Sequence, residues 1–176
     1  MTFGLPHKWQ IARDERGAAI LELAIVIPIL LSIGLGVFEF GNIIYRYQLM
    51  TAGVRDGARF AAGLPYDSAN TTQTDATKTT TQYIAARGVV SGGSNRVEGW
   101  QPGDVTVTYQ ARTDDGTICG TVATNAFCRG RDPAGFIYEV TVSTDKAYQS
   151  LGFLGYLGLG SITLHAEHTE RHFGVH

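Results

Sequence analysis

A carboxylate stands inside an otherwise apolar run near the N-terminus, in the stretch RGAAILELAIVIPILLS at residues 16–32. Glu22 follows Ala18 by four residues and precedes a further apolar run. An acid within a membrane-spanning segment costs about 2–3 kcal/mol on insertion scales and is therefore a candidate functional group. The alternative is that Glu22 lies at the interface, reaches toward the headgroups and has no further role. The residue type alone leaves both interpretations open.

The C-terminal tail carries imidazoles interspersed with carboxylates, a combination that zinc sites use: His165, His168, His172, His176, Glu167 and Glu170. On an extended strand, His168 and His172 would share one face with Glu170, while His165 would point to the other. Three histidines would converge only around a bend. The pattern therefore favours a polar, exposed strand end, and we predict no metal and no cofactor.

Two cysteines, Cys119 and Cys128, bracket eight residues between two predicted strands. That spacing allows a disulfide, and a pair of cysteines weakly favours an oxidising compartment for this part of the chain. The alternative is two unpaired buried thiols. We predict the disulfide.

Motifs of the common enzyme classes are absent from the sequence. It has no G-x-S-x-G, no H-E-x-x-H, no P-loop and no C-x-x-C, and the glycine-rich SGGSN at 91–95 lacks the Lys-Ser/Thr that holds phosphate. The net charge of −2 and the 17% charged residues give no sign of a nucleic-acid surface. We expect a protein that is not an enzyme and does not contact nucleic acid.

The apolar run from Ala18 to Phe38 has 21 residues and one charge. As a helix it would be about 31 Å long, enough to cross a bilayer core. A secretory signal peptide would be shorter and would end at a small-x-small cleavage site, which is missing here. The flanking arginines and lysine number three on each side, so the positive-inside rule does not assign the orientation.

Helical spacing of apolar residues continues beyond the membrane run to about Ala62, where Gly63 and Pro65 favour termination. The resulting helix would be apolar all round in its first half and amphipathic in its second. Pro28 predicts a kink or local unwinding. We expect Glu39 to lie at the outer interface, in contact with solvent. Five glycines provide small surfaces for close helix approach or are simply tolerated there: Gly34, Gly36, Gly41, Gly53 and Gly57.

The remaining chain predicts an α+β domain. A short helix would end at Gly88, and alternating residues predict three strands near 105–112, 136–143 and 162–168. One apolar face on each strand indicates an antiparallel sheet that is covered by the amphipathic half of the long helix. The glycine-broken segment at 148–160 is too short to span a membrane. It either packs onto the domain, which we favour, or contacts another subunit.

The start of the apolar run resembles the cleavage region of type IV prepilins and pseudopilins. A short polar leader ends in Arg16-Gly17, a small residue follows, and Glu22 is the fifth residue counted from Ala18. By this resemblance, an inner-membrane prepilin peptidase cuts between Gly17 and Ala18, and Glu22 is the glutamate used in assembly. The leader is less basic than is usual, because Asp14 and Glu15 offset two of its three cations.

Residues 16–63 are similar to the TadE domain of Tad pilus systems, through Glu22, Pro28, Glu39-Phe40-Gly41 and the stretch AGVRDGARFAA with Arg55 and Arg59. The resemblance implies a minor pilin or pseudopilin for surface adherence. It implies a leader at 1–17, a long helix at 18–63 that spans the membrane at about 18–40, and a periplasmic domain at 64–176.

The same resemblance implies partners and a location. The partners would be other pilin subunits, the peptidase and the inner-membrane assembly platform. The chain would cross the bacterial inner membrane once with a cytoplasmic N-terminus, or would lie outside the cell as part of the fibre. Two alternatives remain: an uncleaved, membrane-anchored periplasmic binding or accessory domain, and a type II secretion pseudopilin.

Overall fold

The computed structural model describes residues 15–64, 75–113, 118–120, 136–158 and 160–171 of the 176-residue chain. The chain divides into two compact units. The first combines the N-terminal part, up to Asn42, with Ser150–Leu159; the second contains Ile43–Gln149 and Gly160–His176. The predicted α+β class is confirmed, with one long helix, two shorter ones and an antiparallel sheet among the described residues.

Helix α1, Glu15–Ala62, has 48 residues and is therefore about 72 Å long. It ends at Ala62, as the sequence predicts, and the Gly63 amide donates to the Arg59 carbonyl at 3.2 Å. It begins three residues earlier than the expected start at Ala18. The α-helix also runs through Pro28 without interruption, so the local unwinding expected there is wrong, while a kink stays a prediction.

Helix α2, Asp75–Arg87, forms from the threonine-rich stretch DATKTTTQYIAAR. The hydroxyls of Thr79, Thr80 and Thr81 each donate to a carbonyl four residues back, at 2.7 to 2.9 Å. These bonds satisfy hydroxyls that would otherwise compete for the backbone in non-helical conformations. Gly88 ends the helix with φ of +75°, a left-handed conformation that glycine adopts without strain.

The sheet has four antiparallel strands in the order β2-β1-β3-β4. The strands are β1 Val105–Thr113, β2 Ile118–Gly120, β3 Phe136–Ala147 and β4 Thr163–Arg171. The three predicted strands are confirmed. Strand β2 is an addition to the prediction, because three residues are too few to display an alternating pattern. A single 3₁₀ turn, Pro102–Asp104, leads into β1.

The second half of α1 packs closely on α2 through two glycines. A Cβ atom built on Gly53 would overlap the Ala85 carbonyl oxygen and would lie 2.8 Å from the Trp100 ring. One built on Gly57 would lie 3.1 Å from the Ala85 Cβ. Both glycines therefore serve close approach, whereas Gly34 and Gly41 have nothing within 4 Å of such an atom.

A series of hydrogen bonds links Trp100 and the 3₁₀ turn to strand β3. The buried Trp100 Nε1 donates to Thr144 Oγ1 at 3.0 Å, and that hydroxyl donates to the Asp104 carbonyl at 2.8 Å. Lys146 Nζ lies 2.8 Å from the Asp104 carboxylate. Burial alone would raise the pKa of Asp104, but the bonds from Lys146 and from the Gln101 amide hold it below its ordinary value. The second unit is thereby tied together by polar as well as apolar contacts.

Candidate membrane-anchoring and assembly site

The first part of α1 presents apolar side chains in every direction. Among the described residues α1 alone is long and apolar enough to cross a membrane; its most apolar 18-residue window has a mean hydropathy of 2.5, and none of that window is buried. The large apolar side chains between Ile20 and Phe40 are 39 to 70% exposed. Exposure on this scale is costly in water but not in lipid or among other apolar helices.

Gly17 and Ala18 lie in the first turn of α1, and both are exposed. A Cβ atom built on Gly17 would contact nothing within 4 Å, so the structure itself places no limit on side-chain size there. Glu22 is also exposed, one turn beyond Ala18 on the apolar part of the helix. The structure thus brings these three residues to one accessible end of α1.

Glu39 is buried, with only 1% of its surface exposed. Its Oε1 atom accepts a hydrogen bond from the Leu151 amide at 2.9 Å, across 112 residues of sequence. The expectation of a solvated Glu39 is therefore wrong. A buried carboxylate needs donors, and here a backbone N–H provides one. No local pattern around Glu39 predicts this hydrogen bond, because Leu151 is remote along the chain.

The segment Ser150–Leu159 groups with the first part of α1 rather than with the sheet. The prediction that residues 148–160 pack onto the domain is therefore wrong for 150–159, whereas 148, 149 and 160 belong to the second unit. The segment contains the one-turn helix α3, Phe153–Tyr156. The Phe153 ring lies over Gly36, where a built Cβ would be 3.2 Å from Phe153 Cε1. Together the segment and α1 from Pro28 to Glu39 line a largely apolar groove of about 620 Å³.

The second half of α1 carries basic side chains that pair within the second unit. Arg46 lies 3.8 Å from Glu98 and places its guanidinium 5.5 Å from the centre of the Tyr148 ring. Arg59 lies 3.7 Å from Glu170 on β4. In each pair one of the two side chains is exposed, and such pairs contribute little stability. They do connect α1 to the sheet side of the unit.

His165 and His168 lie on opposite faces of β4, as predicted. His168 Nε2 lies 2.9 Å from Glu170, and His165 Nδ1 lies 2.7 Å from Asp145, its cross-strand neighbour. The hydrogen bond and charge of Asp145 raise the pKa of His165 above 6.5. No group of three possible metal ligands occurs in the described part of the chain. His172 and His176 lie outside that part.

Cys119 lies in β2, and Cys128 lies outside the described residues. The Cys119–Cys128 disulfide therefore stays a prediction.

The comparisons with known proteins identify one part of the chain. Residues 17–59 match the family model described as TadE-like protein. No curated protein and no solved structure matches the chain. The matched residues begin at the expected cut, include Glu22, Pro28 and Glu39, and end in the last turn of α1. Over residues 17–59, which lie within α1, the chain is similar to TadE-like proteins.

Proposed function

We propose that the chain is a minor pilin or pseudopilin of a Tad pilus, with a structural rather than an enzymatic role. A prepilin peptidase cuts it between Gly17 and Ala18, and the mature helix then joins other pilin helices. The observation that carries the proposal is the division of α1. Its TadE-like residues combine an apolar part, whose most apolar 18-residue window has no buried residue, with a second half packed into a folded unit.

This division matches what a pilus subunit needs. Before assembly, the apolar part of α1 anchors the chain in the inner membrane. During assembly, the same surface exchanges lipid for neighbouring helices, an exchange with little hydrophobic cost because both environments are apolar. The N-terminus lies in the cytoplasm and the sheet-containing unit in the periplasm. The partners are other pilins, the peptidase and the inner-membrane assembly platform.

The position of Gly17 in the first turn of α1 supports processing by a peptidase. Gly17 is the third residue of α1, and the first four amides of a helix have no partner within it. Opening the first turn therefore sacrifices few hydrogen bonds. Because a side chain at residue 17 meets nothing within 4 Å, any loss of cleavage in Gly17→Val reports on the peptidase rather than on folding.

The processing experiment uses intact-mass analysis of the protein from its native host. We expect an N-terminus at Ala18 for the natural chain and the long form for Gly17→Val. Gly34→Val is the matched control, since Gly34 lies in the same helix with equally open surroundings, and it should be cut normally. A natural chain that retains its leader would instead support an uncleaved, membrane-anchored accessory protein.

Glu22 serves assembly in this proposal. Cleavage creates a positively charged amine at Ala18, and Glu22 lies four residues further, about 6 Å along the helix axis. Within a bundle of apolar helices the carboxylate of one subunit neutralises the amine of its own or the next subunit. Removing one partner of a buried charge pair costs about 3–5 kcal/mol. The pairing also fixes the axial position of each helix.

Glu22→Leu tests this role. The variant should insert and be cleaved, because the cut depends on Gly17, but it should fail to co-purify with partner pilins and should reduce the number of fibres. Glu22→Asp, which keeps the charge, should retain more of both. Normal fibres and partner recovery with Glu22→Leu would return the residue to a passive interfacial position.

A further inference from the structure

We propose that the segment Ser150–Gly158 inserts beside α1 into the membrane and contacts lipid acyl chains near the outer edge of the bilayer. The segment would form a second membrane contact that covers the buried carboxylate of Glu39. This inference rests on α1 crossing the bilayer, which is part of the proposed function. It adds a surface that the helix alone does not provide.

The first support is composition. No Asp, Glu, Lys or Arg occurs between Lys146 and His165, a run of 18 residues. Within it, Leu151, Tyr156 and Leu157 are exposed, and Tyr156 is 84% exposed. These side chains lie in the same unit as the exposed apolar part of α1. Apolar side chains flanked by an amphipathic tyrosine are typical of a membrane–water interface.

The second support is depth. Phe153 contacts Gly36, which follows Ala18 by 18 residues and so lies about 27 Å along the helix. The hydrocarbon core of a bilayer is about 30 Å thick. If the core begins at Ala18, Phe153 contacts the helix just inside its far boundary. Glu39 lies about 5 Å further along the helix, at the level where the hydrocarbon core meets the lipid headgroups.

The third support is the satisfaction of backbone groups, since non-helical backbone is tolerated at membrane depth only when its polar groups are bonded. The Leu151 amide donates to Glu39, and the Gly152 amide donates to Ser150 Oγ at 3.0 Å. The amides of Tyr156, Leu157 and Gly158 donate to carbonyls within the segment at 3.0 to 3.1 Å. The segment thus satisfies these donors without water.

The experiment measures where single added tryptophans lie in the full-length chain. The chain, carrying Trp9→Phe, is reconstituted into phosphatidylcholine–phosphatidylglycerol vesicles. Tyr156→Trp reports on the segment. Val90→Trp is the matched control, because Val90 is also an exposed apolar residue of a glycine-containing loop, at 61% exposure, but lies in the second unit. Ile33→Trp reports on α1. The signal of the buried Trp100 is subtracted using the parent chain.

Tryptophan at 156 should be quenched by lipids brominated on their acyl chains, and several-fold less by aqueous acrylamide than tryptophan at 90. Tryptophan at 33 should behave as at 156. If 33 is quenched by brominated lipid but 156 follows 90, the segment lies in water and the inference is overturned while the anchor stands. Protection of 156 from both quenchers would overturn it in favour of protein contact. If 33 is not quenched by lipid, the membrane anchor and the inference both fail.

Discussion

Replacing Gly53 by alanine tests the packing that holds the second half of α1 in the folded unit. The added methyl group would overlap the Ala85 carbonyl oxygen and lie 2.8 Å from the Trp100 ring. The carbonyl belongs to the backbone of α2, and the fully buried Trp100 is held by its bond to Thr144. Neither neighbour can move without loss of other contacts.

The magnitude follows from two opposing effects. Overpacking costs about 1–3 kcal/mol, and a backbone contact this close places Gly53→Ala at the upper end. Alanine gains about 1 kcal/mol over glycine in helix propensity. The net loss of unfolding free energy is therefore about 2 kcal/mol. With a urea dependence of about 2 kcal/mol per molar, the unfolding midpoint should fall by about 1 M.

The assay is urea unfolding in detergent micelles, followed by Trp100 fluorescence in a Trp9→Phe chain. Gly41→Ala is the control, because nothing lies within 4 Å of a Cβ at that position of the same helix, and its midpoint should not fall. Gly57→Ala should be intermediate, since its nearest contact is 3.1 Å. Equal midpoints for the variants at 53 and 41 would refute the assignment of Gly53 to close packing.

Three further predictions concern the cysteines, His165 and Glu39. Thiol labelling of protein isolated from its native host without reductant should find neither Cys119 nor Cys128 reactive until reductant is added. Reactivity beforehand would contradict a disulfide, whose closed loop of about ten residues would contribute about 2.7 kcal/mol. An NMR titration should place the pKa of His165 above 6.5 and Asp145→Asn should lower it. Because the folded pKa is raised, the stabilisation from this contact is fully present below pH 6.5 and is lost as the pH rises through the folded pKa. An unchanged pKa of His165 in Asp145→Asn would exclude the contact. Glu39→Gln, which keeps an acceptor oxygen, should preserve slow hydrogen exchange of the bonded Leu151 amide, whereas Glu39→Leu should accelerate it; equal exchange in both would show that the carboxyl oxygen does not hold the segment.

The sequence by itself determined the features that depend on neighbours along the chain. The length of the apolar run and the glycine and proline after Ala62 were sufficient to place the end of α1, because helix propagation and termination are local. Alternation of residues such as Val140 and Val142 was sufficient to place the strands and their buried face. The similarity to TadE-like proteins could also be recognised from the sequence, since the matched residues form one continuous stretch within α1.

The tertiary structure alone decided which side chains meet across long sequence separations. Glu39 is buried where the chain, 112 residues later, passes beside it and the Leu151 amide donates to its carboxylate. Nothing near Glu39 in the sequence predicts this contact. Gly41 and Gly53 are the same residue in the same helix. Gly41 has open space around it, while Gly53 touches Ala85 of α2 and the Trp100 ring, because these two residues come to lie beside it in the fold. The residue type determines which interactions a side chain can make, and the packing of distant elements determines which atoms it contacts.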